Sequence, residues 1–135
     1  MADNPLATAK IAWLTSAFDP VQPSALRRWV RVHAAPAVPD VDVLNAVILV
    51  VNEAVTVSGQ TSADGERVAV ELWREPEVLR FLVRCPASLP VLSRTQLPED
   101  QRLRALWLTM QVNHAVQVTI TPGLITVTVA ARQWS

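Results

Sequence analysis

The feature that most constrains the fold is a helical pattern near the middle of the chain that is apolar almost all the way round. Apolar residues recur at intervals of three and four from Leu44 to Val55, and Val50 adds a second apolar face. A helix with so little polar surface is unfavourable in water on any side. We therefore expect it to be buried between a sheet and another helix.

The other predicted elements are strands that arrive mostly in hairpins, together with two amphipathic helices. In chain order they are a strand over 11–18, a helix after Ser24, the apolar helix, strands over 67–74 and 78–84, a helix over 101–113, and strands over 115–121 and 124–131. Hairpin strands pair antiparallel. The predicted fold class is an α/β (α+β) two-layer sandwich, with a mostly antiparallel mixed sheet of about five strands and three helices on one face.

Element ends are predicted from capping and turn residues. Ser24 is expected to cap the first helix, Asp40 or Asp42 the second, and Gly59 fits the end of that second helix. Residues 1–9 are expected to be a flexible terminus and residues 10–135 a single domain.

Composition argues against several kinds of partner and site. Twelve basic and twelve acidic residues cancel, so no net charge draws the chain to nucleic acid or to an anionic membrane. No apolar run approaches the roughly 20 residues of a membrane span, and residues 1–10 lack the layout of a secretion signal, so the expected location is cytoplasmic. Cys85 is the single cysteine, and His33 and His114 are far apart and expected on buried helix faces. No metal site is expected.

Three segments resemble motifs of one ATPase family. They are Leu49-Val-Val-Asn-Glu-Ala-Val-Thr56, Leu79-Arg-Phe-Leu-Val-Arg84 and Arg104-Ala-Leu-Trp-Leu108. In this order they resemble the asparagine-box helix, the strand before the Asp-x-Gly box and the GRGLWL helix of the anti-sigma-factor serine kinases. Those kinases are a branch of the GHKL ATPases, which have the Bergerat fold. The resemblance covers about residues 11–131.

The resemblance also implies that the nucleotide contacts have been replaced. The family's Mg²⁺-binding asparagine corresponds to Val57, the adenine-binding aspartate to Cys85 and the box glycine to Ala87. Two motif glycines correspond to Leu103 and Ala105. The resemblance thus implies a vestigial pocket, which comprises Glu53, Val57, Cys85, Ala87, Arg104, Ala105 and Leu106.

The scarcity of glycine supports the same prediction without any alignment. The chain has three glycines, Gly59, Gly65 and Gly123, and no two of them are close enough to form a glycine-rich phosphate loop. We therefore expect no cofactor, and ATP with Mg²⁺ only if the pocket functions despite its substitutions.

Three functions remain open at this point. The first is a pseudo-ATPase regulator that binds a sigma factor or an anti-sigma antagonist through Arg27, Arg28 and Arg31. A homodimer is a further candidate assembly for such a regulator. The second is an active serine kinase with Glu53 as the catalytic base. The third is a structural oligomerisation module. Residues 86–100 match the family's ATP lid, and they are expected either to close over an empty pocket or to present a binding edge.

Overall fold

A computed structural model describes residues 12–63 and 65–131, so the predictions for residues 1–9 and for Ile11 lie outside the described part. Within it, five strands and three α-helices follow the predicted order. They are β1 (Ala12–Phe18), α1 (Pro23–Ala34), α2 (Val41–Thr61), β2 (Val68–Arg74), β3 (Val78–Arg84), α3 (Arg104–Val112), β4 (Val116–Thr121) and β5 (Leu124–Ala130), with a 3₁₀ turn (Gln101–Leu103) before α3.

The strands form one open sheet in the order β1-β2-β3-β5-β4. Every neighbouring pair of strands is antiparallel. The predicted two-layer α/β sandwich is therefore confirmed, whereas the prediction of a mixed sheet is wrong for the described strands. Along β2, β3, β4 and β5, buried side chains alternate with more exposed ones. On β2, for example, Val68, Val70 and Leu72 are buried beneath the helices.

Helix α2 is the centre of the core. Eleven of its residues are buried, and it contacts α1, α3 and four of the five strands. It is 21 residues long and its most apolar 18-residue window has a mean hydropathy of 1.6, so by length and composition alone it is apolar enough to cross a membrane, against the expectation from the sequence. However, 61% of its most apolar window is buried inside the fold, as expected for the core helix of a globular domain.

The two ends of α2 show one correct and one wrong prediction. Asp40 caps the start, where its Oδ1 accepts from the backbone N–H groups of Asp42 and Val43 at 2.9 and 3.2 Å. At the other end the helix continues to Thr61, so Gly59 lies within the last turn and does not terminate it. Gly59 is needed for close packing, because a Cβ atom there would lie 2.5 Å from Cβ of Pro20.

Helix α1 begins two residues earlier than predicted, at Pro23. Pro23 occupies its first turn and no side chain caps it, so the assignment of Ser24 as N-cap is wrong. Proline suits this position, because its fixed φ angle is helical and its missing N–H would have no partner there. Trp29 joins α1 to the sheet through ring contacts with Phe18 at 5.3 Å and Phe81 at 6.1 Å.

Helix α3 is shorter than the predicted 101–113, because its first turn is 3₁₀. Leu103 of the 3₁₀ turn and Leu106 and Met110 of α3 form the buried face. His114 is exposed, so its predicted place on that face is wrong. The helix ends at Val112, and the extended backbone of Asn113 takes His114 out of helical register.

We expect the substitution Gly59→Ala to destabilise the fold by about 1–3 kcal/mol, because the new methyl group overlaps Pro20. Helix propensity alone predicts the opposite sign, a gain of up to about 1 kcal/mol. Urea unfolding followed by circular dichroism measures the difference. Gln60→Ala, at the exposed next position, is the control and should change stability by less than about 0.5 kcal/mol. A Gly59→Ala protein as stable as the parent would contradict the close packing.

Candidate functional site

A cleft of about 430 Å³ lies between one side of α2 and the start of α3. It is lined by Glu53, Thr56, Val57, Gln60, Gln101, Arg102 and Ala105. Three of the residues assigned to the vestigial pocket, Glu53, Val57 and Ala105, are thus brought together. Glu53 and Val57 meet because positions 53, 56, 57 and 60 fall on one side of α2, and the packing of α3 on α2 brings Ala105 beside them.

The α2 wall of the cleft offers few free polar groups. Val57 is 1% exposed and presents only methyl groups, which cannot bind a metal ion. The Thr56 hydroxyl donates to the carbonyl of Asn52 at 3.0 Å, within its own helix. Glu53 is half-buried and is the only carboxylate among the lining residues. A cation in the cleft would therefore find a single acidic ligand.

Asp100 lies just before the 3₁₀ turn, which supplies Gln101 and Arg102 to the opposite wall. Oδ1 of Asp100 accepts from the backbone N–H of Arg102 at 2.9 Å, and the carboxylate also binds the Arg102 guanidinium at 3.0 and 2.6 Å. This pairing lowers the pKa of Asp100 and raises the pKa of Arg102. The backbone N–H of Arg102 is thereby already satisfied by a carboxylate and is not free to bind a phosphate.

Cys85 and Ala87 are not among the residues that line the cleft. Cys85 is 1% exposed at the end of β3, where its Sγ lies 3.5 Å from the Thr61 hydroxyl and its N–H donates to the Gly123 carbonyl at 3.0 Å. It borders a second depression, beside Ser58 of α2. Ala87 packs partly buried against the core. The hydrogen-bonding partners of the thiol are the Thr61 hydroxyl and, at 3.9 Å, the Ala87 carbonyl.

The remaining predicted site residues lie apart from the cleft. Leu106 is fully buried in the core, and Arg104 is exposed, with its Nε donating to the Pro98 carbonyl at 3.3 Å. Arg27, Arg28 and Arg31 are all exposed on α1. We call these three residues the basic face. In the described part of the chain, no carboxylate forms an ion pair with any of them.

Residues 86–100, here called the proline loop, are held across α3 by a clamp that the sequence did not reveal. The Arg94 guanidinium donates to the carbonyl of Met110 at 2.6 Å and to the carbonyl of Val116. It thereby ties the loop both to the last turn of α3 and to the first residue of β4. A cation beside the carbonyls at a helix C-terminus is also favoured by the helix dipole.

Two side chains of α3 complete the clamp. Trp107 donates from Nε1 to the Ser93 carbonyl at 2.8 Å, and Gln111 donates from Nε2 to the Arg94 carbonyl at 2.9 Å. Leu92, 9% exposed, places an apolar anchor beside them. Two expectations were open for the proline loop, closure over the pocket and a binding edge. The observed contacts hold the loop against α3.

No group of three or more His, Cys, Asp or Glu side chains within residues 12–63 and 65–131 is arranged to hold a metal ion. His33 instead makes an edge contact with the Trp29 ring at 5.2 Å.

Comparison with known proteins adds no family to this picture. The sequence matches no protein-family model and no curated protein.

We expect Arg94→Met to lower the free energy of unfolding by about 2–4 kcal/mol, because two carbonyls lose a charged donor. Amide hydrogen exchange measured by mass spectrometry should also become faster in residues 86–100. Arg104→Met is the matched control. It removes a guanidinium with one 3.3 Å bond at an exposed site, and should cost less than about 0.5 kcal/mol. Equal effects of the two substitutions would contradict the clamp.

Proposed function

We propose that this chain is a degenerate GHKL ATPase-like regulatory protein, similar to anti-sigma factors, which acts by binding another protein and holds little or no nucleotide. The observation that carries the proposal is the chemistry of the cleft. Val57 presents methyl groups where the resemblance requires a metal-binding amide, and Asp100 pairs with Arg102, the basic residue that lines the opposite wall. The valine removes an attraction for the metal ion, and the pairing of Arg102 with Asp100 weakens an attraction for phosphate.

The basic face is the proposed protein-binding surface. Its three guanidinium groups project from one helix, where no acidic residue occupies the first turn. Val32, 59% exposed, adds an apolar contact beside them. Arginine forms strong paired hydrogen bonds with carboxylates. The proposed partner is an acidic segment of a sigma factor or of an anti-sigma antagonist, and the proposed location is the cytoplasm.

One observation favours a second candidate, an active serine kinase. Glu53 lies in the cleft, half-buried, where the resemblance places a catalytic base. Transfer of labelled phosphate from ATP to an antagonist protein, abolished by Glu53→Gln, would support the kinase over the proposed function.

For nucleotide binding, we expect isothermal titration calorimetry with MgATP to give no saturable heat, which corresponds to a dissociation constant weaker than about 1 mM. The physical reason is the lack of a metal-binding amide in the cleft and the pairing of its one lining arginine, Arg102, with Asp100. Titration of ATP without Mg²⁺ separates a metal effect from a phosphate effect. A dissociation constant below about 100 μM for MgATP would contradict the degenerate assignment.

For partner binding, we expect Arg27→Glu/Arg28→Glu/Arg31→Glu to weaken capture of the native partner at least about tenfold, because three attractive charges become repulsive. Immobilised protein and host lysate, followed by mass spectrometry and then by titration of the captured protein, provide the measurement. Raising the salt concentration should weaken the parent complex and leave the variant nearly unchanged. Arg104→Glu, at an exposed position on α3, is the control. Capture that is unaffected by the triple substitution would place the interface elsewhere.

A further inference from the structure

Glu53 is a half-buried carboxylate that has no partner in the described part of the chain. It lies on the α2 wall of the cleft, where solvent reaches it only in part. Within residues 12–63 and 65–131, no basic side chain forms an ion pair with it and no group donates a hydrogen bond to it. A carboxylate that has lost part of its water and gained no donor favours a bound cation, because the attraction is screened less there than at an open surface.

The neutral polar side chains of the cleft add hydrogen-bond acceptors around this charge. Gln60 and Gln101 line the cleft, and their side-chain amides form no hydrogen bond with any described residue. The Thr56 hydroxyl donates its proton to the Asn52 carbonyl, so only its lone pairs remain for a ligand. A ligand that donates several N–H groups would complement these oxygen atoms.

The charge balance of the cleft favours a cation over an anion. Arg102, on the opposite wall, is bound by the Asp100 carboxylate through hydrogen bonds of 3.0 and 2.6 Å. These two charges cancel locally, which leaves the negative charge of Glu53. A phosphate or carboxylate ligand would have to displace Asp100 from Arg102, and it would meet the repulsion of Glu53 as well.

A guanidinium ion fits this set of acceptors better than a metal ion does. Ca²⁺ takes about six to eight oxygen ligands, and Mg²⁺ demands near-ideal octahedral geometry. A guanidinium group is planar, and it can bind one carboxylate through paired, parallel hydrogen bonds while its other N–H groups reach neutral acceptors. It is also more weakly hydrated than an ammonium group, so its transfer into a half-buried site costs less.

The cleft also has room for an alkyl chain beside the cation. Its volume of about 430 Å³ lies within the usual range for small-molecule sites, roughly 300–1,000 Å³. Ala105 is exposed on the α3 side, and Val57 closes the floor on the α2 side. A short chain of methylene groups would therefore lie against apolar side chains.

We propose that the cleft binds an alkylguanidinium ion, with the guanidinium group on Glu53 and the alkyl chain against Ala105. A free guanidino compound and an arginine side chain of another protein carry the same group, and the cleft recognises it by the same contacts. The ligand has the opposite charge to a nucleotide. The site is independent of partner binding through the basic face, because the residues that form it lie on α2, the 3₁₀ turn and α3.

Titration of the full chain with ethylguanidinium, followed by ¹⁵N NMR at constant ionic strength up to about 100 mM ligand, tests the site. We expect saturable shifts of backbone amides in residues 53–60 and 101–105, with a dissociation constant on the order of 1–10 mM for so small a ligand. Ethylurea has nearly the same shape without the charge. It should bind at least about tenfold more weakly.

Substitutions separate the charge of the site from its shape. Glu53→Gln keeps the size of the side chain and removes its charge, so binding of ethylguanidinium should weaken at least about tenfold. Glu77→Gln is the matched control, because Glu77 is exposed in the turn between β2 and β3 and forms no ion pair with any described residue. Ala105→Phe fills the cleft from an exposed position and should also weaken binding, which keeps the site testable if Glu53→Gln does not fold.

Three results would overturn the proposal. They are the absence of saturable shifts at 100 mM ethylguanidinium, ethylurea binding as tight as that of the cation, and undiminished binding by the folded Glu53→Gln protein. Comparison of L-arginine with its N-acetyl amide, whose backbone groups are neutral as in a chain, identifies the source of the ligand. Tighter binding of the amide indicates an arginine side chain of a protein, and tighter binding of L-arginine indicates a free compound. Both orders support the guanidinium site.

Discussion

Burial of α2 on nearly all sides is the constraint on which the rest of the structure depends. Eleven of its residues are buried, and each large aliphatic side chain contributes about 1.5–3 kcal/mol when removed from water. The sheet covers one side of the helix, and α1 and α3 cover its flanks. Polar residues are tolerated where this covering is incomplete, and Glu53, Thr56 and Gln60 share such a side. The position of the cleft thus follows from the packing of the core helix.

Most of the fold could be predicted from periodicity, because each element buries one repeating face. The failures were local, and each has a physical cause. Helix α1 begins at Pro23 and not after Ser24, because the fixed φ angle of proline suits the first turn. The position of Gly59 suggests a helix end, whereas the close approach of Pro20 is what requires a residue without a side chain there. His114 continued a helical spacing beyond the residue where the helix ends.

The candidate site was less predictable, because its contacts depend on tertiary geometry. Positions 53 and 57 share a helix face by spacing alone, so their meeting could be anticipated. The approach of Ala105 required the packing of α3 on α2. Arg94 carried no sequence signal at all, since its partners are backbone carbonyls 16 and 22 residues away. Much of the polar chemistry around the cleft is satisfied within the chain itself, and exposed arginines without ionic partners lie on α1 instead.

The burial of Cys85 has a practical consequence. This thiol is the only one in the sequence, it is 1% exposed, and it lies where β3, the end of α2 and the last hairpin meet. A thiol-reactive dye can reach the sulfur only when these three elements separate. The rate of labelling under native conditions therefore reports how often this end of the molecule opens, without any engineered probe. Labelling of Cys85 thus measures native-state fluctuations without an added cysteine. A bound partner that stabilises this end of the molecule would lower the labelling rate.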